Sequence, residues 1–132
     1  MGFEEVPHTA DWSVRVWAQD LPSLFGESAR AMNALSGTVT RNSPRVKRTF
    51  ESEASDAESL LVDFLSELVF CQEQESLAFD SFDVKIEEPA LNVEMEGAPI
   101  ASVDKAIKAV TYHNLKILKT AEGFETTIVF DV

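Results

Sequence analysis

Three side chains that could take part in chemistry lie close together near the start of the chain, in Pro7-His8-Thr9-Ala10-Asp11. A histidine, a hydroxyl and a carboxylate fall within four positions, directly before an alternating run from Trp12 to Trp17 that predicts a strand. Functional side chains are often carried by loops that a rigid scaffold holds. A purely local role is the alternative, because Asp and Thr also begin turns and cap helices.

A second set of oxygen atoms stands at the other end of the sequence. The alternation from Phe124 to Asp131 predicts a final strand, and pairing in a sheet would hold Asp131 and the Val132 carboxylate in place. If this strand neighbours the one after Asp11, two aspartates and the Val132 carboxylate could converge. Such hard oxygen atoms suit Ca²⁺ or Mg²⁺ better than zinc. The sequence alone leaves open whether they meet.

A third candidate pair, Asp63 and Glu67, lies on a predicted helix. Ser55-Asp56-Ala57-Glu58 reads as a capping box with Ser55 as the cap, and the helix is expected to run to about Glu73. Two carboxylates four positions apart could bind a metal or act as acid and base; a solvated helix face is the alternative. The apolar face of the helix is formed by Leu61, Phe64, Leu65, Leu68 and Val69.

Other local signals position the remaining elements. Asp20 predicts a helix cap with Pro22 in the first turn, and Gly37 predicts the end of that helix. Leucine, phenylalanine and methionine recur along it at helical spacing. Residues 38–44 are expected to be loop, and the mixed charges of Val46 to Glu53 predict an exposed edge strand.

Two hairpins are predicted in the second half of the chain. Alternation in 82–86 and 91–95 predicts strands joined by a loop of four to five residues around Pro89. Residues 97–103 are expected to be a turn-rich connection. Residues 109–119 should be extended, with a turn at 121–123 before the final strand. We therefore predict one α+β domain over residues 1–132, with two main helices packed on a mostly antiparallel sheet.

Composition narrows the classes of function. Acidic residues number 23 against 11 basic ones, and the resulting charge of −12 argues against direct binding of nucleic acid. The charge suits a divalent cation or a basic protein partner, although solubility alone could also explain it. The single cysteine, Cys71, is expected to be a buried, inert thiol. With neither a signal peptide nor an apolar run of ~18 residues, a cytoplasmic protein without membrane attachment is expected.

The chemical segments together resemble a known family. His8-Thr9-Ala10-Asp11, then Lys108-Ala109-Val110-Thr111-Tyr112-His113, then Phe130-Asp131-Val132 are similar to the three motifs of the archease family. The intervening stretch Leu60 to Leu68 is similar to the second helix of that family. The likeness covers essentially the whole chain, in order and at fitting spacing, although each motif alone is a weak signal.

The resemblance implies a non-enzymatic function. Archeases activate the tRNA-splicing RNA ligase by promoting guanylylation of the ligase and its multiple turnover. The family binds a divalent cation, with Ca²⁺ the first choice here and Mg²⁺ or Mn²⁺ as alternatives. By resemblance its ligands would be Asp11, Asp131 and an oxygen of Val132. Lys108 matches a lysine tied to activation. His8 matches a motif residue whose role is not catalytic, and we assign it to partner contact.

Departures from the family pattern and rival functions remain. Trp12 stands where smaller aliphatic residues are usual, and Ala106 stands where an acidic residue is common. Tyr112 and His113 are expected to pack and form hydrogen bonds rather than bind metal. The rivals are a metal-dependent hydrolase using Asp11, His8 and Asp131, and a general chaperone or scaffold. The hydrolase lacks a clear nucleophile and base.

Overall fold

Two antiparallel sheets and two helices make up the computed structural model, which describes residues 1–6, 12–112 and 114–132. The predicted α+β class with two main helices is confirmed. In chain order the elements are β1 (Gly2–Val6), β2 (Trp12–Ala18), α1 (Leu21–Ser36), β3 (Val39–Thr40), β4 (Val46–Glu53), α2 (Ala57–Glu75), β5 (Leu77–Glu87), β6 (Ala90–Ser102), β7 (Ala109–Thr111), β8 (Leu118–Thr120) and β9 (Gly123–Asp131).

The first sheet joins the two ends of the chain. Its strands follow the order β1-β2-β9-β7, and β8 also pairs with β9. The β2–β9 register runs from Trp12 opposite Phe130 to Ala18 opposite Phe124. Alternate residues of these strands, including Val14 and Ile128, are fully buried and face the helices. The predicted final strand is confirmed, and it is central rather than peripheral.

The second sheet is built around the long strand β6. Residues of β6 between 90 and 97 pair with both β4 and β5, so those two strands lie on opposite sides of it. The short strand β3 pairs with the far end of β6, at Ile100 and Ser102. The prediction that 38–44 is entirely loop is therefore wrong for β3. The prediction of an edge strand from Val46 to Glu53 is confirmed.

Residues 97–102 form strand, although 97–103 was predicted to be a turn-rich connection, because β6 continues to Ser102. Gly97 is required there for close approach: a Cβ atom at this position would lie 1.9 Å from the carbonyl oxygen of Ala78. The register of β5 shifts nearby, between Phe79 and Ser81. The β5–β6 hairpin is also tighter than predicted, since Glu87 pairs with Ala90 and only two residues separate them.

Residues 109–119 do not form one extended strand. β7 pairs with the end of β9 and β8 pairs with its start, so the stretch between them leaves the ladder. That stretch is held in two other ways. The Thr126 hydroxyl donates to the Lys116 carbonyl at 2.8 Å, and the Ile117 amide donates to the Glu58 carboxylate at 3.0 Å. Long-range contacts of this kind leave no periodic signal in the sequence.

The predicted boundaries of α1 are confirmed. The Asp20 carboxylate accepts a hydrogen bond from the Ser23 amide at 2.8 Å, and Pro22 lies in the first turn. Gly37 ends the helix with φ 65°, and its amide donates to the Ala34 carbonyl. Leu24, Phe25 and Met32 are fully buried, as their spacing predicted; Leu21 and Leu35 pack partly buried against the same core.

α2 begins one residue later than predicted. Asp56, not Ser55, is the cap, because its carboxylate accepts from the Ser59 amide at 2.7 Å. Glu58 accepts from Ile117 instead of completing a capping box. The five predicted apolar-face residues are all buried, and the helix continues to Glu75.

Both helices contribute to one hydrophobic core that the two sheets enclose. α1 packs against β2 and β5, and α2 packs against β4, β5 and β7. The rings of Phe25 and Phe64 stack at 6.2 Å between centroids, and Phe82 meets Phe64 edge-on at 5.7 Å. This packing fixes the sheet that carries the chain ends relative to α2.

We predict that Asp56→Ala lowers the urea midpoint of unfolding, whereas Ser55→Ala changes it little. The bond from Ser59 lowers the pKa of Asp56 below its ordinary value of 3.8. The carboxylate therefore stabilises the fold above that value and loses its effect as pH falls through the lower folded-state pKa. Urea titrations near neutral pH and in acid measure this. If Ser55→Ala lowered the urea midpoint more than Asp56→Ala, Ser55 would be the capping residue instead.

Candidate functional site

The end of β9 brings several motif residues together. Phe130 pairs with Trp12 on one side and with Val110 on the other. Beyond Val110, the backbone amide of Lys108 donates to the carbonyl of Asp131 at 2.8 Å. Lys108 and Asp131, which the sequence assigns to separate motifs, are therefore neighbours at the end of the first sheet.

The side chains at this end differ in exposure. Lys108 and Asp131 are exposed, whereas Val132 is partly buried and packs against the hydrophobic core. Packing of Val132 fixes the end of the chain, and the β7 pairing fixes the backbone of Asp131. A carboxylate and an ammonium group are thus presented at the surface by a rigid sheet.

The remaining predicted site residues lie outside the described residues. These are His8 and Asp11. The motif residue His113 also lies outside the described residues. In the described part of the chain, no three His, Cys, Asp or Glu side chains form a group that could hold a metal ion. Of the predicted ligands, the structure therefore describes Asp131 and Val132.

Lys105 is a nearby cation that sequence reasoning missed. Its ammonium group lies 5.2 Å from the centroid of the Trp12 ring, within the range of a cation–π interaction. Trp12 is one of the two residues that depart from the family pattern, and it packs partly buried against the core. No spacing rule connects residues so far apart in the chain, so no sequence signal could have found this contact.

Tyr112 corrects one expectation about the second motif. Its side chain is 58% exposed, so it does not pack in the interior as predicted. Its backbone carbonyl accepts a hydrogen bond from the Leu115 amide at 3.1 Å. An exposed aromatic ring in this motif is available to a partner surface.

Asp63 and Glu67 have a different setting. The Asp63 carboxylate accepts a hydrogen bond from the Ser52 hydroxyl at 2.7 Å, which ties α2 to β4. Both side chains are partly buried rather than fully solvated. Asp63 therefore has a local structural role that neither the metal nor the solvated-face interpretation anticipated.

Cys71 is buried, as predicted from its apolar surroundings. Burial raises the pKa of its thiol to about 11, with smaller contributions from Glu67 and Glu75. The thiol is therefore protonated at neutral pH and is a poor nucleophile.

Among the described helices, none is both long and apolar enough to span a bilayer.

The sheet-and-helix arrangement and the whole sequence match the same group of proteins. Residues 3–132 match the family described as "Archease protein family (MTH1598/TM1083)". "Protein archease" of Methanopyrus kandleri is 34% identical over 130 residues, covering 89% of each chain. "Protein archease" of Pyrococcus abyssi is 31% identical over 129 residues, covering 92% of this chain and 91% of the relative. The chain belongs to the archease family.

Solved structures with less sequence similarity share the fold. The solution structure of Methanobacterium thermoautotrophicum protein 1598 aligns with a TM-score of 0.74 at 23% identity, covering 99% of each chain. A Thermotoga maritima protein described as "an archease, possible chaperone" aligns with a TM-score of 0.70 at 22% identity, covering 98% of this chain and 96% of the other. The fold is therefore that of known archease structures.

Proposed function

We propose that this protein is a metal-binding activator of the tRNA-splicing RNA ligase, acting in tRNA splicing and RNA repair. The protein itself would perform no chemistry on RNA; it would promote guanylylation of the ligase and so sustain repeated turnover. The single observation that carries the proposal is family membership over residues 3–132. The proposal is supported by the neighbouring positions of Lys108 and Asp131, whose backbones are joined by a hydrogen bond.

The metal would be held by Asp11, Asp131 and an oxygen of Val132. The chemistry of this donor set fits Ca²⁺, which prefers several oxygen ligands; Mg²⁺ and Mn²⁺ are alternatives. Support comes from the register of the first sheet, in which Trp12 pairs with Phe130. In the sequence, Asp11 directly precedes Trp12 and Asp131 directly follows Phe130. The bound cation would supply positive charge that offsets carboxylate repulsion.

Lys108 would act on the partner rather than on the metal ligands. It is exposed, and its backbone is fixed by the bond to Asp131. An ammonium group held at that position can interact with an anionic group of the ligase or its nucleotide. The overall charge of −12 favours association with a basic protein and opposes direct binding of RNA.

Loss of one metal ligand should abolish metal-dependent stabilisation. Ca²⁺ bound only by the folded state would stabilise wild type by about 2.7 kcal/mol at a hundredfold excess over Kd. Asp131→Asn and Asp11→Asn keep side-chain shape but remove the charge, so they should lose both calorimetric Ca²⁺ binding and the rise in melting temperature.

Asp83→Asn is the matched control, because Asp83 is an exposed aspartate of β5, and this variant should bind Ca²⁺ as wild type does. Mg²⁺ and Mn²⁺ titrations identify which cation binds most tightly. This ligand set is refuted if the wild-type protein binds no metal at millimolar concentration. It is also refuted if the Asp11 and Asp131 variants bind metal as wild type does.

Removal of the Lys108 ammonium group should lower ligase activation without weakening the fold. Lys108→Ala changes an exposed side chain, so the free energy of unfolding should move by no more than about 0.5 kcal/mol. Stimulation of a cognate ligase should nevertheless fall by about tenfold, the size expected when a charged contact worth ~1.4 kcal/mol is lost.

Lys85→Ala removes an exposed lysine from the second sheet and should leave stimulation unchanged. Equal stimulation by the Lys108 and Lys85 variants would contradict the role of Lys108. Broad suppression of aggregation that does not require Asp11 would favour a general chaperone, and phosphoester turnover by the isolated protein would favour a hydrolase.

A further inference from the structure

Strand β4 has one edge paired and one edge open. In the described part of the chain it pairs only with β6, from Val46 opposite Gly97 to Glu53 opposite Ala90. The Ala54 amide donates to the Pro89 carbonyl at 3.0 Å, which continues the same register by one position. Hydrogen-bonded pairs alternate along an antiparallel ladder, so every second residue of β4 points its backbone groups away from β6. These outward residues are Lys47, Thr49, Glu51 and Glu53.

Helix α2 packs against β4 and is anchored to it at two points. Ser52 donates to Asp63 at 2.7 Å, and Arg48 donates to Glu75 at 2.8 Å. Between the two anchors, Asp63, Glu67 and Phe70 form one stripe of the helix at three- and four-residue spacing. A shallow groove lies between the stripe and the edge strand.

The groove has a specific chemical character. Its lining includes Phe50, Glu51 and Ser52 from β4 and Asp63, Glu67 and Phe70 from α2. Three of these are carboxylates and two are phenyl rings, and no lysine or arginine of the described chain lines it. Arg48, the nearest cation along β4, is already paired with Glu75. Phe70 is 53% exposed although it lies on the helix that forms much of the core.

We infer that the open edge of β4 and this groove bind a basic, extended segment of a protein partner by strand addition. The segment would pair its backbone with the outward groups of β4. Alternate side chains would face α2, where an apolar residue can cover Phe70 and a lysine or arginine can meet Glu67 and Asp63. Charge complementarity selects this occupant, since an acidic segment would face the three carboxylates of the groove, and no lysine or arginine of the described chain lines that groove.

A second copy of the chain fits less well. It would bring another net charge of −12 and the same carboxylates to the interface. The charged residues of β4 are also of the kind that protects edge strands from self-association. The groove shares no residue with the site at the end of β9, so the two proposals succeed or fail separately.

A direct test uses a fluorescein-labelled peptide in which every second residue is threonine and the positions between them alternate lysine and valine, so that one face of the strand presents both residue types. Its binding is measured by fluorescence anisotropy at physiological salt. A peptide of equal charge with its central valine replaced by proline is the control, because proline cannot donate to a ladder. The alternating peptide should bind, and the proline peptide should bind about tenfold more weakly. Equal binding of both peptides would show charge attraction alone and overturn strand addition.

Hydrogen exchange measured by NMR locates the contact. The amides of Lys47, Thr49, Glu51 and Glu53 should exchange rapidly in the free protein and slow down with peptide bound. The amides of Arg48 and Phe50, already bonded to β6, should change little. Protection of the outward amides without peptide, together with dimers in sedimentation equilibrium, would instead assign the edge to a second copy and overturn the proposal.

Two variants test the groove itself. Phe70→Ala and Glu67→Gln should each lower the affinity for the alternating peptide by about tenfold, as expected for residues central to an interface. The controls are Leu118→Ala, which removes a side chain of matched exposure (54%), and Glu94→Gln, which removes an exposed carboxylate of β6. Equal effects of groove and control variants would overturn the assignment. Circular dichroism confirms that each variant is folded.

Discussion

Pairing of β2 with β9 is the constraint on which the rest of this structure depends. The ladder from Trp12 opposite Phe130 to Ala18 opposite Phe124 joins β2 to β9, the two central strands of the motif-bearing sheet. It buries Val14 and Ile128 against the helices, and hydrophobic burial of this kind is the main source of fold stability. The same register determines which residues adjoin at the end of β9. Stability and the candidate site are therefore consequences of one set of strand pairings.

Local signals in the sequence predicted the elements whose boundaries are set locally. Asp20 and Gly37 define α1 because capping involves atoms only a few residues apart. The sequence failed where an element depends on distant partners. β6 continues through Gly97 because β5 approaches closely there, and residues 109–119 divide because β7 and β8 pair with different ends of β9. The cap of α2 differed from prediction because Glu58 bonds to Ile117 instead of completing a capping box.

The candidate site also combines features that the local sequence determines with features that depend on distant contacts. Its residue types were evident from the sequence, since Lys108 and Asp131 belong to recognisable motifs. Their adjacency depends on one backbone hydrogen bond of 2.8 Å between distant positions, which no periodicity encodes. The contact of Lys105 with Trp12 and the exposure of Tyr112 are likewise products of tertiary packing. Assignment of His8 and Asp11, which lie outside the described residues, stays a prediction from sequence.

Repeated turnover of an RNA ligase is the effect that we propose for this acidic protein, and it can be measured by counting turnovers. A cognate ligase is supplied in small amount with excess RNA carrying a 2′,3′-cyclic phosphate end and a 5′-hydroxyl end, and joined products per ligase molecule are counted. We expect many products per ligase when this protein is present and about one when it is absent. An equal number of products in both reactions would contradict it.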